Sequence, residues 1–320
     1  TSMTLGIDIG ATRTKFGLVR AGGEPELLWR QIVATPHTAT AGEFLEWLQR
    51  AIHESVQGAA VTGIGVGIAG FVTSEGVLVH SPNLPSLQQL PLQAWLQERF
   101  SYPVIVDNDA NVAAWAEYRL GAAQDVLSCL YVTVGTGVGG ALILNGQLWR
   151  GVYGGAGEIG HMIVDITATG QTGIPAFRIG VLEEYVGQAA LLRCAQSVVR
   201  RYPASELASR PVTMESLAQA YAAGDEAARE CVTWAAWVLG LGIVSAIALL
   251  DVEVAVVGGG IVEAFPGFFS TVQATVQQRA LPPLAERIQL RVARFGTWSG
   301  VIGAALLAEE KGLQGGNINA

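Results

Sequence analysis

Apolar residues along this chain fall in short runs that stop at turns rich in glycine, threonine and asparagine. The runs come in the same order twice. Stretches 4–9, 14–20 and 27–34 have the length and composition of strands, and 61–68 and 103–107 follow as two more. Apolar positions at helical spacing predict helices over 41–57, 89–100 and 109–120. The second half opens with strands near 128–134, 138–144 and 147–150 and continues with helices near 180–201, 213–222 and 227–250. Strands at 253–258 and 288–294 and a helix at 299–311 complete the pattern. Residues 151–180 lack any period and read as loops, and 312–320 reads as a loose end. Three hairpin-linked strands followed by alternating helix and strand predict, in each half, a mixed sheet covered by helices.

The repetition extends to the turns. Ile7-Asp8-Ile9-Gly10-Ala11-Thr12 and Val132-Thr133-Val134-Gly135-Thr136-Gly137 each carry an apolar strand into a Gly/Thr turn, and a second apolar strand leaves it. Glycine permits a tight turn and lets an anion approach main-chain N–H groups. The hydroxyls of Thr12, Thr14, Thr133 and Thr136 add donors. Two such turns at matching places suggest two related lobes gripping a polyphosphate. Neither turn continues into Gly-Lys-Ser/Thr, which argues against a P-loop NTPase. Gly65-Val66-Gly67-Ile68-Ala69-Gly70 has the letters of a dinucleotide fingerprint, but a strand and turn follow it where that motif needs a helix.

Composition narrows the partners. Half of the 320 residues are hydrophobic, 14% are charged and the formal net charge is −8, so the chain is globular and has no basic stripe for nucleic acid. Cys129, Cys194 and Cys231 are far apart in largely apolar sequence and read as reduced, buried thiols. No charged-then-apolar leader precedes the first strand, which favours a cytoplasmic protein. The apolar run from Cys231 to Leu250 imitates a membrane span but lacks flanking topology signals, and a buried central helix is expected there.

Three polar constellations remain. Val106-Asp107-Asn108-Asp109-Ala110-Asn111 lies where a strand ends and a helix begins. One N-cap accounts for one of these side chains, not four, and an Asp held beside a phosphate site is placed to take a proton from an attacking hydroxyl. In Gly154-Gly155-Ala156-Gly157-Glu158-Ile159-Gly160-His161, the Glu and His among glycines suit the hydroxyls of a polar ligand, and Asn83 lies in a turn that could reach the same ligand. Val257-Gly258-Gly259-Gly260 ends a strand in three glycines, where a ring or a ribose can lie against the backbone.

Together these stretches resemble the ROK family (repressors, open reading frames and sugar kinases) of the actin–hexokinase superfamily, almost end to end. Gly6–Thr12 resembles the family's first phosphate motif, Gly135–Gly140 the second, and Val257–Gly260 the adenosine turn. Asn108-Asp109-Ala110-Asn111 matches the stretch whose Asp is the family's general base, here Asp109, and Gly157–His161 resembles the sugar-binding motif. One departure stands out. Most members carry a Cys-x-Cys-Gly-x-x-Gly-Cys-x-Glu zinc motif next, whereas Ile174, Ala176 and Val181 stand here where thiolates belong, with Gly180 and Glu183 retained. No structural zinc is therefore expected, and a loop held by apolar contacts is expected in its place.

The resemblance implies an α/β fold of two actin-like (ribonuclease H-like) lobes, each a mixed five-stranded sheet flanked by helices, with a cleft between them. Residues 1–118, completed by the C-terminal helix 299–320, would form one lobe. Residues 119–298 would form the other, with a substrate-loop insertion at 151–183. The implied activity is transfer of the γ-phosphoryl group of ATP to a hexose, glucose or a close relative, at its 6-OH. Asp8, Gly10, Thr12, Thr14 and Lys15 would line the phosphates from the first motif, and Thr133, Gly135, Thr136 and Gly137 from the second. Gly258, Gly259 and Gly260 would receive the adenosine, and Asp8 is the candidate for Mg2+. Asn83, Asn108, Asp109, Glu158, His161 and Glu183 would surround the hexose. A homodimer, without nucleic acid or membrane as partner, is the corresponding expectation. A non-catalytic sugar sensor and a kinase using polyphosphate as donor are the alternatives.

Overall fold

The computed structural model describes residues 2–20, 22–169 and 173–316. Contacts divide the chain into two units, one of Thr1–Asp125, Ala141–Ala156 and Thr297–Ala320, the other of Val126–Gly140 and Gly157–Gly296. In chain order, β1 (Met3–Ile9), β2 (Arg13–Arg20) and β3 (Leu27–Ala34) are followed by α1 (Ala41–Val56) and β4 (Val61–Ile68). The short strands β5 (Phe71–Val72), β6 (Leu78–His80) and β7 (Gln88–Leu90) precede α2 (Leu92–Arg99), β8 (Val104–Asn108) and α3 (Asp109–Leu120). Next come β9 (Cys129–Val134), β10 (Val138–Leu144) and β11 (Gln147–Trp149), then α4 (Gln188–Val198), α5 (Met214–Ala222) and α6 (Glu226–Leu250). The chain ends with β12 (Val254–Gly258), α7 (Gly260–Ala264), α8 (Phe268–Arg279), α9 (Pro282–Arg287), β13 (Gln289–Val292) and α10 (Ser299–Gly316).

One sheet has the order β3-β2-β1-β4-β8 and another the order β11-β10-β9-β12-β13, while β5, β6 and β7 form a small sheet of their own. The two five-stranded orders are one topology written twice, which is the repetition seen in the sequence. In the first sheet β1, β2 and β3 pair antiparallel, and β4 and β8 run parallel to β1. In the second, β12 runs parallel to β9 and β13 to β12.

Side-chain alternation along β1 assigns its two faces. Leu5, Ile7 and Ile9 are fully buried and join Phe44, Leu48 and Ile52 of α1 in one core. On the opposite face Gly6 and Gly65 let α10 approach the sheet backbone; a Cβ on Gly65 would meet the Ala304 carbonyl at 1.8 Å. Helix α10 comes equally close to α3, because a Cβ on Gly303 would sit 1.6 Å from the Val112 carbonyl oxygen. Backbone cannot yield there as a flexible side chain can. Gly303→Ala is therefore expected to destabilise the protein by about 3 kcal/mol or more, read as a lowered midpoint in urea or thermal unfolding.

Several elements differ from the sequence expectation. Helix 89–100 begins at Leu92, since Gln88–Leu90 pair with β6 and Pro91 is the N-cap residue. The region 180–201 is interrupted: Leu182–Glu184 form a 3-10 turn, Gly187 has φ 118°, and α4 starts only after it. Residues 312–316 are helical rather than loose, while 317–320, the expected end of that helix, lie outside the described residues. Among the described residues α6 alone is long and apolar enough to cross a membrane by length and composition. Its inner face packs against α4 and α8. Cys129 and Cys231 are buried and Cys194 half-buried, all as free thiols.

Candidate active site

In the first unit the turn between β1 and β2 is closed by the Gly10 N–H donating to the Arg13 carbonyl (3.0 Å). Thr35, just past β3, braces it. The Thr35 hydroxyl donates to the Gly10 carbonyl (3.0 Å), and its N–H donates to the Thr12 carbonyl (3.0 Å). Thr35 thus uses its single hydroxyl proton on Gly10, which makes Thr14 the donor in the 2.9 Å contact between the two hydroxyls. Thr14 is fully buried, and its hydroxyl bonds Thr35 behind the turn. Thr12 is exposed at the turn. Lys15 lies opposite Asp8 in the β1–β2 register, and its ammonium donates to the Thr297 carbonyl (2.8 Å) near the Trp298 ring.

At the end of β8 the four polar side chains divide their work. Asp107, 2% exposed, accepts the Asn108 N–H (2.7 Å), the Asn111 side-chain amide (3.0 Å) and Arg150 Nε (2.7 Å). Asn108 is the N-cap of α3, accepting from the Ala110 and Asn111 N–H groups (2.9 and 3.1 Å) while its own amide donates to the Gly70 carbonyl (2.7 Å). Asn111 is buried. Asp109 opens α3, and its Oδ1 accepts the Ala110 N–H (2.9 Å). Three of the four side chains therefore build the frame that presents the fourth. Asn83 is exposed in the turn that follows Ser81.

Two carboxylates of this unit are unusually basic. Desolvation, and secondly the charge of Asp109, push Asp8 up to about 7, against the lowering effect of Lys15. Desolvation raises Asp109 to about 6, opposed by hydrogen bonds from backbone N–H groups. Two such groups sharing one charge environment fit a hard divalent cation, which would relieve their repulsion. No cluster of three or more His, Cys, Asp or Glu side chains occurs among the described residues. Mg2+ needs only one or two carboxylates when phosphates and water complete its shell. In the absence of a cation, the raised Asp8 value means that the folded state holds a proton the unfolded state releases. That contribution to stability is present below about pH 4 and is lost as pH rises through 7. Asp8→Asn is thus expected to stabilise the protein by about 1–4 kcal/mol at pH 8, with the gain shrinking towards pH 4, in urea unfolding without nucleotide.

In the second unit the Gly135–Gly137 turn is closed by the Gly135 N–H donating to the Gly137 carbonyl (3.0 Å). A side chain on Gly135 would meet open space, Thr136 is exposed and Thr133 is half-buried. The three glycines after β12 are not equivalent. Gly259 has φ 100°, and a Cβ there would lie 2.3 Å from the Val134 carbonyl oxygen, while one on Gly258 would lie 2.7 Å from the Ala293 Cβ. Packing requires these two glycines, and only Gly260 faces open space. Glu158 leads into the 3-10 turn Ile159–His161, and His161 is half-buried.

In the loop after His161, Ile163, Ile166 and Phe177 are exposed while Val181 and Leu182 are fully buried, so apolar contacts hold its end at the long helix α6. Polar contacts add to them. Arg178 Nε binds Glu184 (2.7 Å), its Nη2 binds Glu183 (3.2 Å), and the Tyr185 hydroxyl donates to the Asp165 carboxylate. Glu183 Oε2 also accepts the Val138 N–H (3.0 Å) at the edge of the second glycine turn. Sequence reasoning missed Arg150, Arg178 and Thr35. The two arginines are isolated cations beside glycine-rich stretches, the only trace of their roles in the sequence.

Comparison with known proteins shows the family and the fold. The family model described as ROK family matches residues 4–311. A glucokinase of Halalkalibacterium halodurans is 32% identical, over 98% of this chain and 97% of its own length. A putative xylose repressor of a Caldicellulosiruptor species is 27% identical, over 95% of this chain and 77% of its own. Among solved structures, the ROK family glucokinase of Streptomyces griseus in complex with glucose and AMPPNP superimposes with a TM-score of 0.82 at 29% identity. That match covers 96% of this chain and 99% of the other.

Proposed function

Since the chain belongs to the ROK family, we propose that it is an ATP-dependent hexose kinase in which Asp109 is the general base. The observation that carries the reading is the end of β8. There a carboxylate raised to about 6 is presented by three neighbours committed to other bonds. In the proposed reaction the hexose 6-OH gives its proton to Asp109 as its oxygen bonds the γ-phosphorus, and the bond to the ADP oxygen breaks. A carboxylate near 6 is ionised at neutral pH yet basic enough to accept that proton. Backbone N–H groups of the Gly10–Thr12 and Gly135–Gly137 turns would hold the phosphates. Gly260, open to solvent, would receive the nucleoside. Asn83, Asn108, Glu158, His161 and Glu183 would hold the sugar. Mg2+, with Asp8 as its carboxylate, would neutralise charge on the transferring phosphoryl group.

The glucokinase relatives support sugar phosphorylation, and the repressor relative supports a second reading, a sugar-binding regulator without turnover. ADP release with MgATP across glucose, mannose, fructose, allose and N-acetylhexosamines tests both, with inorganic polyphosphate as a second donor. Turnover with one hexose identifies the substrate. Silence across the panel, with hexose binding still measurable by calorimetry, would replace the kinase with the regulator.

A further inference from the structure

Within the second unit, residues 178–188 run between two features that the proposed reaction uses, the Glu158–His161 turn and the Gly135–Gly137 turn. On one side this segment is bonded to the residues that follow His161. The Leu182 N–H donates to the Met162 carbonyl (2.9 Å), and the Val164 and Asp165 N–H groups both donate to the Gly180 carbonyl (2.9 and 3.1 Å). Ile163 and Val181 form an antiparallel bridge, and Tyr185 reaches Asp165. On its other side the segment grips the glycine turn. The Gln188 N–H donates to the Gly135 carbonyl (3.0 Å), and a Cβ on Gly187 would sit 3.0 Å from the Thr136 carbonyl oxygen.

Glu183 is the side chain through which the two ends meet. Its Oε2 accepts the Val138 N–H (3.0 Å) and its Oε1 accepts Arg178 Nη2 (3.2 Å). Arg178 also binds Glu184 through Nε (2.7 Å), so one guanidinium spans two adjacent carboxylates that otherwise repel each other. Arg193 adds a longer contact to Glu184 (3.4 Å). Removing Arg178 leaves Glu183 beside a Glu184 held only by the longer Arg193 contact and weakens its hold on Val138.

We propose that Arg178 is a positioning residue that, through Glu183, couples hexose binding at the Glu158–His161 turn to nucleotide binding at the Gly135–Gly137 turn. The proposal rests on the kinase reading for the identity of the two ligands. Ordering the strap with one ligand prepares the turn for the other, and the effect is reciprocal.

The test is calorimetry of AMPPNP binding with and without saturating glucose. In the wild-type protein glucose is expected to tighten AMPPNP binding about 5–20-fold, and in Arg178→Ala this ratio falls to about 1. Arg178→Lys, which keeps the charge, restores part of the ratio, and Arg178→Gln is the second variant should the alanine form fold poorly. In turnover assays the KM values for glucose and ATP rise together while kcat changes less than about threefold. A merely structural role would lower the folded fraction and leave the ratio intact. A wild-type ratio of 1, or an unchanged ratio in the alanine variant, overturns the coupling. If glucose binds without turnover, the kinase reading fails and the ratio still judges this one. If glucose does not bind, hydrogen exchange of the free protein decides. Exchange must rise at Val138 and at Val164 and Asp165 together in Arg178→Ala, and unchanged exchange overturns the proposal.

Discussion

Asp109→Asn is expected to lower kcat about 10²–10⁴-fold while the hexose dissociation constant moves less than about threefold. Asparagine matches aspartate in size, and its oxygen can still accept the Ala110 N–H that Asp109 Oδ1 accepts at 2.9 Å. The N-cap on Asn108 and the bonds of Asp107 do not involve residue 109, so the frame around it persists. What is lost is a basic oxygen. The wild-type rate should also fall as pH drops through about 6, where burial places the titration of Asp109. The residual rate of the variant should lack that limb. Stopped-flow or coupled ADP release over pH 5–8, beside calorimetry with the hexose, reads both effects. An unchanged kcat in the variant would remove Asp109 from the chemistry.

Arg150→Ala is expected to cost about 2–3 kcal/mol of stability and to slow turnover at least tenfold. Arg150 is 30% exposed at its side chain, but its partner Asp107 is 3% exposed and would be left as a buried carboxylate without its cation. Asp107 holds the Asn108 N–H and the Asn111 amide, so a charge left uncompensated there disturbs the residue before the proposed base. Arg150 also begins a loop closed by the Ala156 N–H donating to its carbonyl (3.1 Å), two residues ahead of Glu158. Arg150→Lys should recover only part of the loss, because a guanidinium meets a carboxylate with fixed geometry and an ammonium does not. Urea unfolding gives the stability term, and turnover at a temperature where the variant is folded separates it from the kinetic one. A variant as stable and as active as the wild type would show the pair to be ornamental.

Much of the fold was legible because its information is local. The β1–β2 and β9–β10 turns repeat one pattern of apolar strand, glycine and threonine, and the structure repeats one strand order around them. The β8–α3 junction was legible for the same reason, since Asn108 and Asp109 carry the signature of a strand end and a helix start. What stayed hidden depends on partners distant in sequence. The bond of Thr14 to Thr35, 21 residues away, has no local signal in the sequence. The pairing of Asp107 with Arg150, 43 residues away, is equally silent in the local sequence. The close approach of Ala293 and Val134 to Gly258 and Gly259 is likewise set by residues far off in the chain. The loop after His161 is expected to pack through apolar contacts, and Val181 and Leu182 do, while the Arg178 pairs with Glu183 and Glu184 have no signal in the sequence. A bond or close approach between residues far apart in the chain leaves no mark on local composition.

The packing of α10 on Gly6, Gly65 and α3 sets an order of events for a chain made from its N-terminus. The strands β1 to β8 emerge first, and α3 covers Gly67, but the part of the glycine-faced side around Gly6 and Gly65 stays bare until residues 299–316 arrive. At ordinary elongation rates the wait between β8 and the end of α10 is roughly 10–40 s. The second unit, whose residues are all made in that interval, is free to fold before the first is finished. A nascent chain stalled before Ser299 would therefore expose an uncovered sheet face, a target for chaperones and proteases rather than a half-active enzyme.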